Sequence, residues 1–198
     1  DKTNSVVTPT AGFNFNIKQE INGLGGDVDF TKTSFDLKSY KTFFRDDVIF
    51  SSNLSSGIIF GTDADITNRF FLGGDQLKGF RNQGIGPVDN SYSNSDINGD
   101  PLGGKMFTTI NLETSFPIGI PEEYDVFGGV FIGAGSLWKL DNTDGGRVDD
   151  SSNIRAAAGV SLFWDTVIGP LRFNFSRPIK KETYDVIENF RFTVDTRF

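Results

Sequence analysis

Residues 12–21 read Gly12-Phe13-Asn14-Phe15-Asn16-Ile17-Lys18-Gln19-Glu20-Ile21. Phe13, Phe15 and Ile17 fall on one side of an extended chain; Asn14, Asn16, Lys18 and Glu20 fall on the other. This period of two is the signature of a β-strand with one apolar face and one polar face. The pattern recurs at 28–43, 48–60, 105–118, 126–138, 153–164, 170–177 and 189–198, which makes eight strands. Helical periodicity is absent. In 28–43, Val28 and Phe30 run out of phase with Phe35 and Leu37, which predicts a bulge there. A phase change is also expected near Arg177 at the end of 170–177.

The composition sharpens the choice of all-β fold. Mean hydropathy is −0.25, a polar value, yet Phe occurs 21 times, and many of these sit between polar neighbours. Alternation alone also suits a soluble β-sandwich. An antiparallel transmembrane β-barrel reconciles low hydropathy with abundant Phe, since one strand face meets lipid and the other a polar lumen. The connections alternate too. Those at 44–47, 119–125 and 165–169 are short; those at 61–104, 139–152 and 178–188 are longer and polar. Short periplasmic turns and long outer loops are the asymmetry of outer-membrane barrels. Only the 22–27 link is short on the long-loop side. The alternation in 189–198 ends on Phe198, which favours the barrel.

Several chemistries are excluded or weakened. The chain has neither Cys nor His, so disulfides, thiolate metal sites and the usual general base are unavailable. A net charge of −7 argues against a nucleic-acid face. Gly23-Leu24-Gly25-Gly26-Asp27 superficially resembles a phosphate loop, but strand pattern follows where a helix is required, so a hairpin connection is expected. The acidic runs Asp96, Asn98, Asp100 and Asp141, Asp144, Asp149, Asp150 lack a full calcium-loop spacing and read as solvated outer loops. No acid–base constellation stands out, so the chain reads as a non-enzyme without metal or cofactor.

One stretch carries a specific resemblance. Gly73-Gly74, Lys78-Gly79-Phe80 and Ile85-Gly86-Pro87, within the long loop 61–104, resemble the loop motif of the BamA family of outer-membrane barrel assembly proteins (bacterial surface antigen domain). Asn153-Ile154-Arg155 through Ile168-Gly169-Pro170 and Glu188-Asn189-Phe190 to Phe198 match further motifs, and Pro9-Thr10-Ala11-Gly12 adds a weaker one. The matches come in family order over almost the whole chain. The resemblance implies that residues 1–198 are the C-terminal half of a larger barrel preceded by POTRA domains. It implies residence in the outer membrane of a Gram-negative bacterium and a role in folding and inserting β-barrel proteins. The implied partners are membrane lipids, unfolded outer-membrane proteins and assembly lipoproteins. It also implies that Phe190, Phe192, Val194 and Phe198 form a terminal insertion signal.

The sequence departs from the family where the loop meets the barrel. Lys78 replaces the family arginine. The strand positions that would receive it are Phe131 and Gly133, so the aromatic partner is kept and the carboxylate is lost. The family ion pair cannot form in that way. Two arrangements relieve the edges of eight strands. Strand 12–21 can close on 189–198 within the chain, or two copies can join as a homodimer. Single-chain closure is the preferred expectation, with Lys78 to Phe80 displaced outward because a small barrel is filled by side chains. Two other functions stay open: a polypeptide-secretion barrel of the TamA or two-partner type, and a small self-contained structural barrel like OmpA.

Overall fold

A computed structural model describes residues 1–5, 9–23, 29–44, 47–61, 64–91, 99–143, 147–166 and 169–194. The strands are β1 (Gly12–Asn22), β2 (Phe30–Phe43), β3 (Val48–Gly61), β4 (Val88–Asp89), β5 (Asp100–Pro101), β6 (Met106–Pro117), β7 (Val126–Trp138), β8 (Val148–Asp149), β9 (Arg155–Thr166), β10 (Gly169–Lys180) and β11 (Phe190–Val194). Eight form one antiparallel meander in the order β1-β2-β3-β6-β7-β9-β10-β11. These are the eight segments read from alternation. The other three form a small sheet, β5-β4-β8, that ties two of the long connections together.

Register converts alternation into two faces. One cross-strand row runs Phe15, Leu37, Leu54, Ile110, Ala134, Ala156. Another runs Val130, Val160, Phe175, Phe190. Phe15, Ile110, Val160, Phe175 and Phe190 are 44–52% exposed. In water such a continuous apolar surface would be a liability; in a bilayer it is the lipid-facing band. Phe173–Phe192 and Phe175–Phe190 reinforce it, with ring centroids 5.0 and 5.1 Å apart. A sandwich would bury this face against a second sheet, and among the described residues none covers it. Arginine at Phe15, Leu54 or Ile110 is expected to cost about 2–4 kcal/mol at mid-depth. Denaturant titration in lipid bilayers measures this; a cost no larger than that of arginine at Asn14 would show the facing to be inverted.

Three expectations need correction. Among the described residues β1 and β11 each have one strand neighbour, and they do not pair with each other. Among the described residues the sheet is therefore open, in contrast to the expected single-chain closure. The bulge expected at Val28 and Phe30 is absent from the described part of β2, whose registers with β1 and β3 run unbroken from Phe30; Val28 lies outside the described residues. Phe30 keeps its phase by facing the lumen side, where it is buried with Ile59 and Ala64 beside Phe70. Arg177 likewise keeps the outward phase, paired with Ala158, and the register shift comes between Pro178 and Lys180. Proline has no N–H for the ladder, which accounts for a break there.

The turn at Gly23 does join antiparallel neighbours, whose last pair is Asn22 with Phe30; Leu24, Gly25, Gly26 and Asp27 lie outside the described residues, as do Asp96, Asn98, Asp144 and Phe198.

Candidate functional site

The lumen-side residues of β6, β7, β9 and β10 form a floor with a small-residue centre. Phe131 of β7 stands between Glu113 of β6 and Gly159 of β9 in register. A Cβ on Gly159 would lie 2.6 Å from the Phe131 ring, so glycine there makes room for the ring. Thr109, Ala157, Ser161 and Asn174 are all buried. The long loop covers Ala157, which packs with its Leu72, Leu77, Phe80 and Ile85.

The loop enters as a tight hairpin. Leu72 and Ile85 form an antiparallel bridge, and Gly74 N–H donates to Phe80 C=O at 2.8 Å. Gly73 has φ +129°, Gly79 +95° and Gly86 +119°, a backbone region that glycine adopts without strain. Leu72, Leu77, Phe80 and Ile85 then pack with Phe107, Leu137 and Ala157 as the main buried cluster. Leu77 and Phe80 are fully buried. Pro87, at the motif's end, is also fully buried. The expectation that Lys78 to Phe80 would be displaced outward is thus overturned: the open sheet leaves a lumen wide enough to seat them.

Gly79 sits where the hairpin touches the floor. A Cβ there would lie 2.6 Å from Ala157 Cβ. Gly79→Ala is expected to cost about 1–3 kcal/mol from overpacking, with added strain from the positive φ. Faster proteolysis of residues 75–84 reads this out; an unchanged rate would mean the hairpin is not held by close packing.

Lys78 finds both of its partners, one on a different strand from the expected one. Its Nζ lies 4.3 Å from the Phe131 ring centroid, a cation–π distance. It donates to Glu113 Oε1 at 2.7 Å. Ser161 Oγ donates to the same oxygen at 2.9 Å, and Arg172 lies 3.6 Å from Oε2 while its guanidinium stacks 4.6 Å from Phe163. Gly133 carries no carboxylate because Leu77 and Asn111 occupy its space: a Cβ would stand 3.1 Å from Leu77 Cδ1 and 2.5 Å from Asn111 Oδ1. Asn111 Nδ2 instead donates to Gln76 C=O at 2.9 Å.

Phe190, Phe192 and Val194 point outward from β11, away from the loop. They share no contact with the Lys78 cluster. Between the two groups stands Arg191, which faces inward and reaches Asn82 of the loop at 3.0 Å. Glu113, Arg191 and the buried pair Arg155–Asp185 are the interactions that sequence reading missed. Glu113 was visible only as one member of a polar strand face, without the register that sets it opposite Phe131.

The whole chain, residues 1–198, matches the Omp85 superfamily domain. It is 29% identical over 201 residues to the outer membrane protein assembly factor BamA of Neorickettsia risticii, a match covering 100% of this chain and 26% of the relative. It is 32% identical over 155 residues to the mouse sorting and assembly machinery component 50 homolog, covering 73% of this chain and 31% of the relative. Among solved structures, BamA from Haemophilus ducreyi lacking POTRA domains 1–3 superposes with a TM-score of 0.82 at 26% identity, over 98% of this chain and 40% of that one. The chain therefore spans well under half the length of these relatives. By the full-length domain match, and by the fold that accompanies it, the chain belongs to the Omp85 superfamily.

Proposed function

We propose that this chain is the C-terminal half of the barrel of a bacterial outer-membrane assembly factor, which folds and inserts β-barrel proteins into the outer membrane. The observation that carries the reading is an open sheet, with β1 and β11 each lacking a second neighbour among the described residues, joined to a loop hairpin seated on its lumen face. Unpaired backbone in hydrocarbon costs several kcal/mol per group. The remaining strands of a longer barrel relieve that cost at both edges, and the 40% coverage of the BamA neighbour leaves room for them. A weakly held edge is also what an incoming strand needs, since it offers backbone donors and acceptors in register.

In this reading the work is strand templating and local membrane disturbance, with no covalent step and no cofactor. Gly73, Gly74, Lys78, Gly79, Phe80, Ile85, Gly86 and Pro87 seat the loop, and Phe131 receives Lys78. Phe190, Phe192, Val194 and Phe198 serve as the terminal insertion signal. Deleting Phe198 is expected to reduce insertion in cells more than it reduces the stability of protein already folded in bilayers; equal losses would argue against a signal. Unfolded outer-membrane proteins, assembly lipoproteins and lipids are the partners. The Ile85-Gly86-Pro87 tail and the assembly-factor names of the relatives favour assembly over secretion. The open edges weigh against a self-contained OmpA-like barrel.

The test is complementation. A Gram-negative host depleted of its own assembly factor receives the full-length protein that carries this segment. Restored levels of resident outer-membrane barrels support the proposal. Export of a secreted reporter without that restoration would replace it with a secretion barrel. A stable edge-to-edge dimer of the 198-residue chain as the only active species would replace it with a two-copy barrel.

A further inference from the structure

The backbone just before β11 is also the backbone partner of the seated loop. Glu188 N–H donates to Gly79 C=O at 3.1 Å, Arg81 N–H to Val186 C=O at 2.9 Å, and Val186 N–H to Gly84 C=O at 2.8 Å. Phe80 and Ile187 complete an antiparallel bridge. On the opposite side this strap is held by β10, where Ser176 Oγ donates to Glu188 C=O at 3.0 Å and Ser176 N–H to Asn189 C=O at 2.8 Å. The strap therefore lies between loop and sheet, and it runs directly into the edge strand.

Arg191 adds a side-chain link on β11 itself. Its guanidinium donates to Asn82 Oδ1 of the loop at 3.0 Å and to Glu188 Oε2 of the strap at 2.5 and 2.8 Å. Asp75 of the loop stands 4.0 Å away. Gly74 keeps the passage open, since a Cβ there would lie 1.8 Å from Asn82 Oδ1 and 3.0 Å from the guanidinium. By contrast β11 holds to β10 through five residue pairs, Leu171 with Val194 to Phe175 with Phe190.

We infer that Arg191 is a positioning residue that couples seating of the 73–86 hairpin to the placement of the β11 edge. With the hairpin seated, the strap and Arg191 hold β11 against β10. With the hairpin lifted, the strap loses its inner partner, Arg191 loses Asn82, and the edge loosens. The use of this coupling in assembly rests on the function proposed above; the coupling itself does not.

Amide hydrogen exchange on the protein folded in lipid bilayers tests it without any substrate, so its result stands apart from the complementation assay. Asn82→Ala alters the loop alone, at an exposed position. It is expected to raise exchange in residues 190–194 about tenfold, the scale of losing one hydrogen bond to a charged group. Arg191→Ala is expected to do the same and, by reciprocity, to raise exchange in residues 79–84. Arg191→Lys keeps the charge and loses the fork, so it should recover part of the effect. The double variant should not exceed Arg191→Ala, because that substitution already removes the link that Asn82→Ala removes. Amides of β6, β7 and β9 should not change. If Arg191→Ala loosens β11 while Asn82→Ala does not, Arg191 acts only through Glu188 and the coupling is overturned; unchanged exchange in both variants overturns it as well. Should Arg191→Ala fail to fold, Asn82→Ala decides alone.

Discussion

Glu113→Ala is expected to unseat the loop hairpin at a cost of about 3–5 kcal/mol, the range found when one partner of a buried ion pair is removed. Lys78 is 11% exposed and Glu113 15%, so the ammonium left behind has little water to turn to. Glu113 also receives Ser161 and attracts Arg172, and both lose their shared acceptor. Exchange or proteolysis of residues 75–82 reports the unseating directly. Glu113→Gln should cost less, because an amide oxygen still accepts from Lys78 and Ser161. The pair Lys78→Met with Glu113→Gln should recover most of the loss, since removing both charges avoids a stranded one. Lys78→Arg should be tolerated, as a guanidinium keeps the charge and stacks on Phe131. If Glu113→Ala leaves residues 75–82 as protected as before, the hairpin is held by Leu77 and Phe80 alone.

The position of that carboxylate illustrates which parts of the fold were legible. Alternation needs only local sequence, and it gave the eight sheet strands and the outward rows. The same logic failed at Phe30, because an apolar residue facing a lumen looks like a slip in phase until the loop that covers it, near Ala64 and Phe70, is known. Closure was misread for a related reason. Edge cost dictates that β1 and β11 find partners but not that they find each other, and an eight-strand barrel would leave no room for the buried Leu77 and Phe80. The loop motif and Phe131 were legible through family resemblance. Glu113 was not, since matching position to position looks for the lost carboxylate at Gly133, whereas the lumen accepts it from the adjacent strand. Register, a long-range property, sets Glu113 opposite Phe131. Arg155 was in a recognised motif, but its partner lies in a loop with no periodic signal.

That partner gives the other large expected effect. Asp185→Ala should detach the 181–189 connection from β9 at a cost of about 3–5 kcal/mol. The Arg155 and Asp185 side chains are both fully buried. Arg155 Nε donates to Asp185 Oδ2 at 3.1 Å, and its other nitrogens reach Asn153 C=O at 2.8 Å, Ser151 C=O at 3.3 Å and Tyr184 Oη at 3.1 Å. Asp185 also receives the Glu182 N–H at 2.6 Å. Burial raises the Asp185 carboxyl above the ordinary carboxylate range, against the Glu182 N–H and the Arg155 guanidinium that oppose it. Burying both partners carries a desolvation cost that can exceed their attraction. Loss of Asp185 is still costly, because Arg155 cannot shed its charge and three neutral oxygens do not replace a carboxylate. Arg155→Met with Asp185→Leu should therefore be far milder than Asp185→Ala, and even neutral. Denaturant unfolding in bilayers gives the costs, and exchange of residues 181–189 locates them. The strap that pairs with the loop begins at Val186, directly after Asp185, so Asp185→Ala should also raise exchange in residues 79–84. Costs that simply add in the double variant would mean that Arg155 and Asp185 act independently, with no ion pair between them.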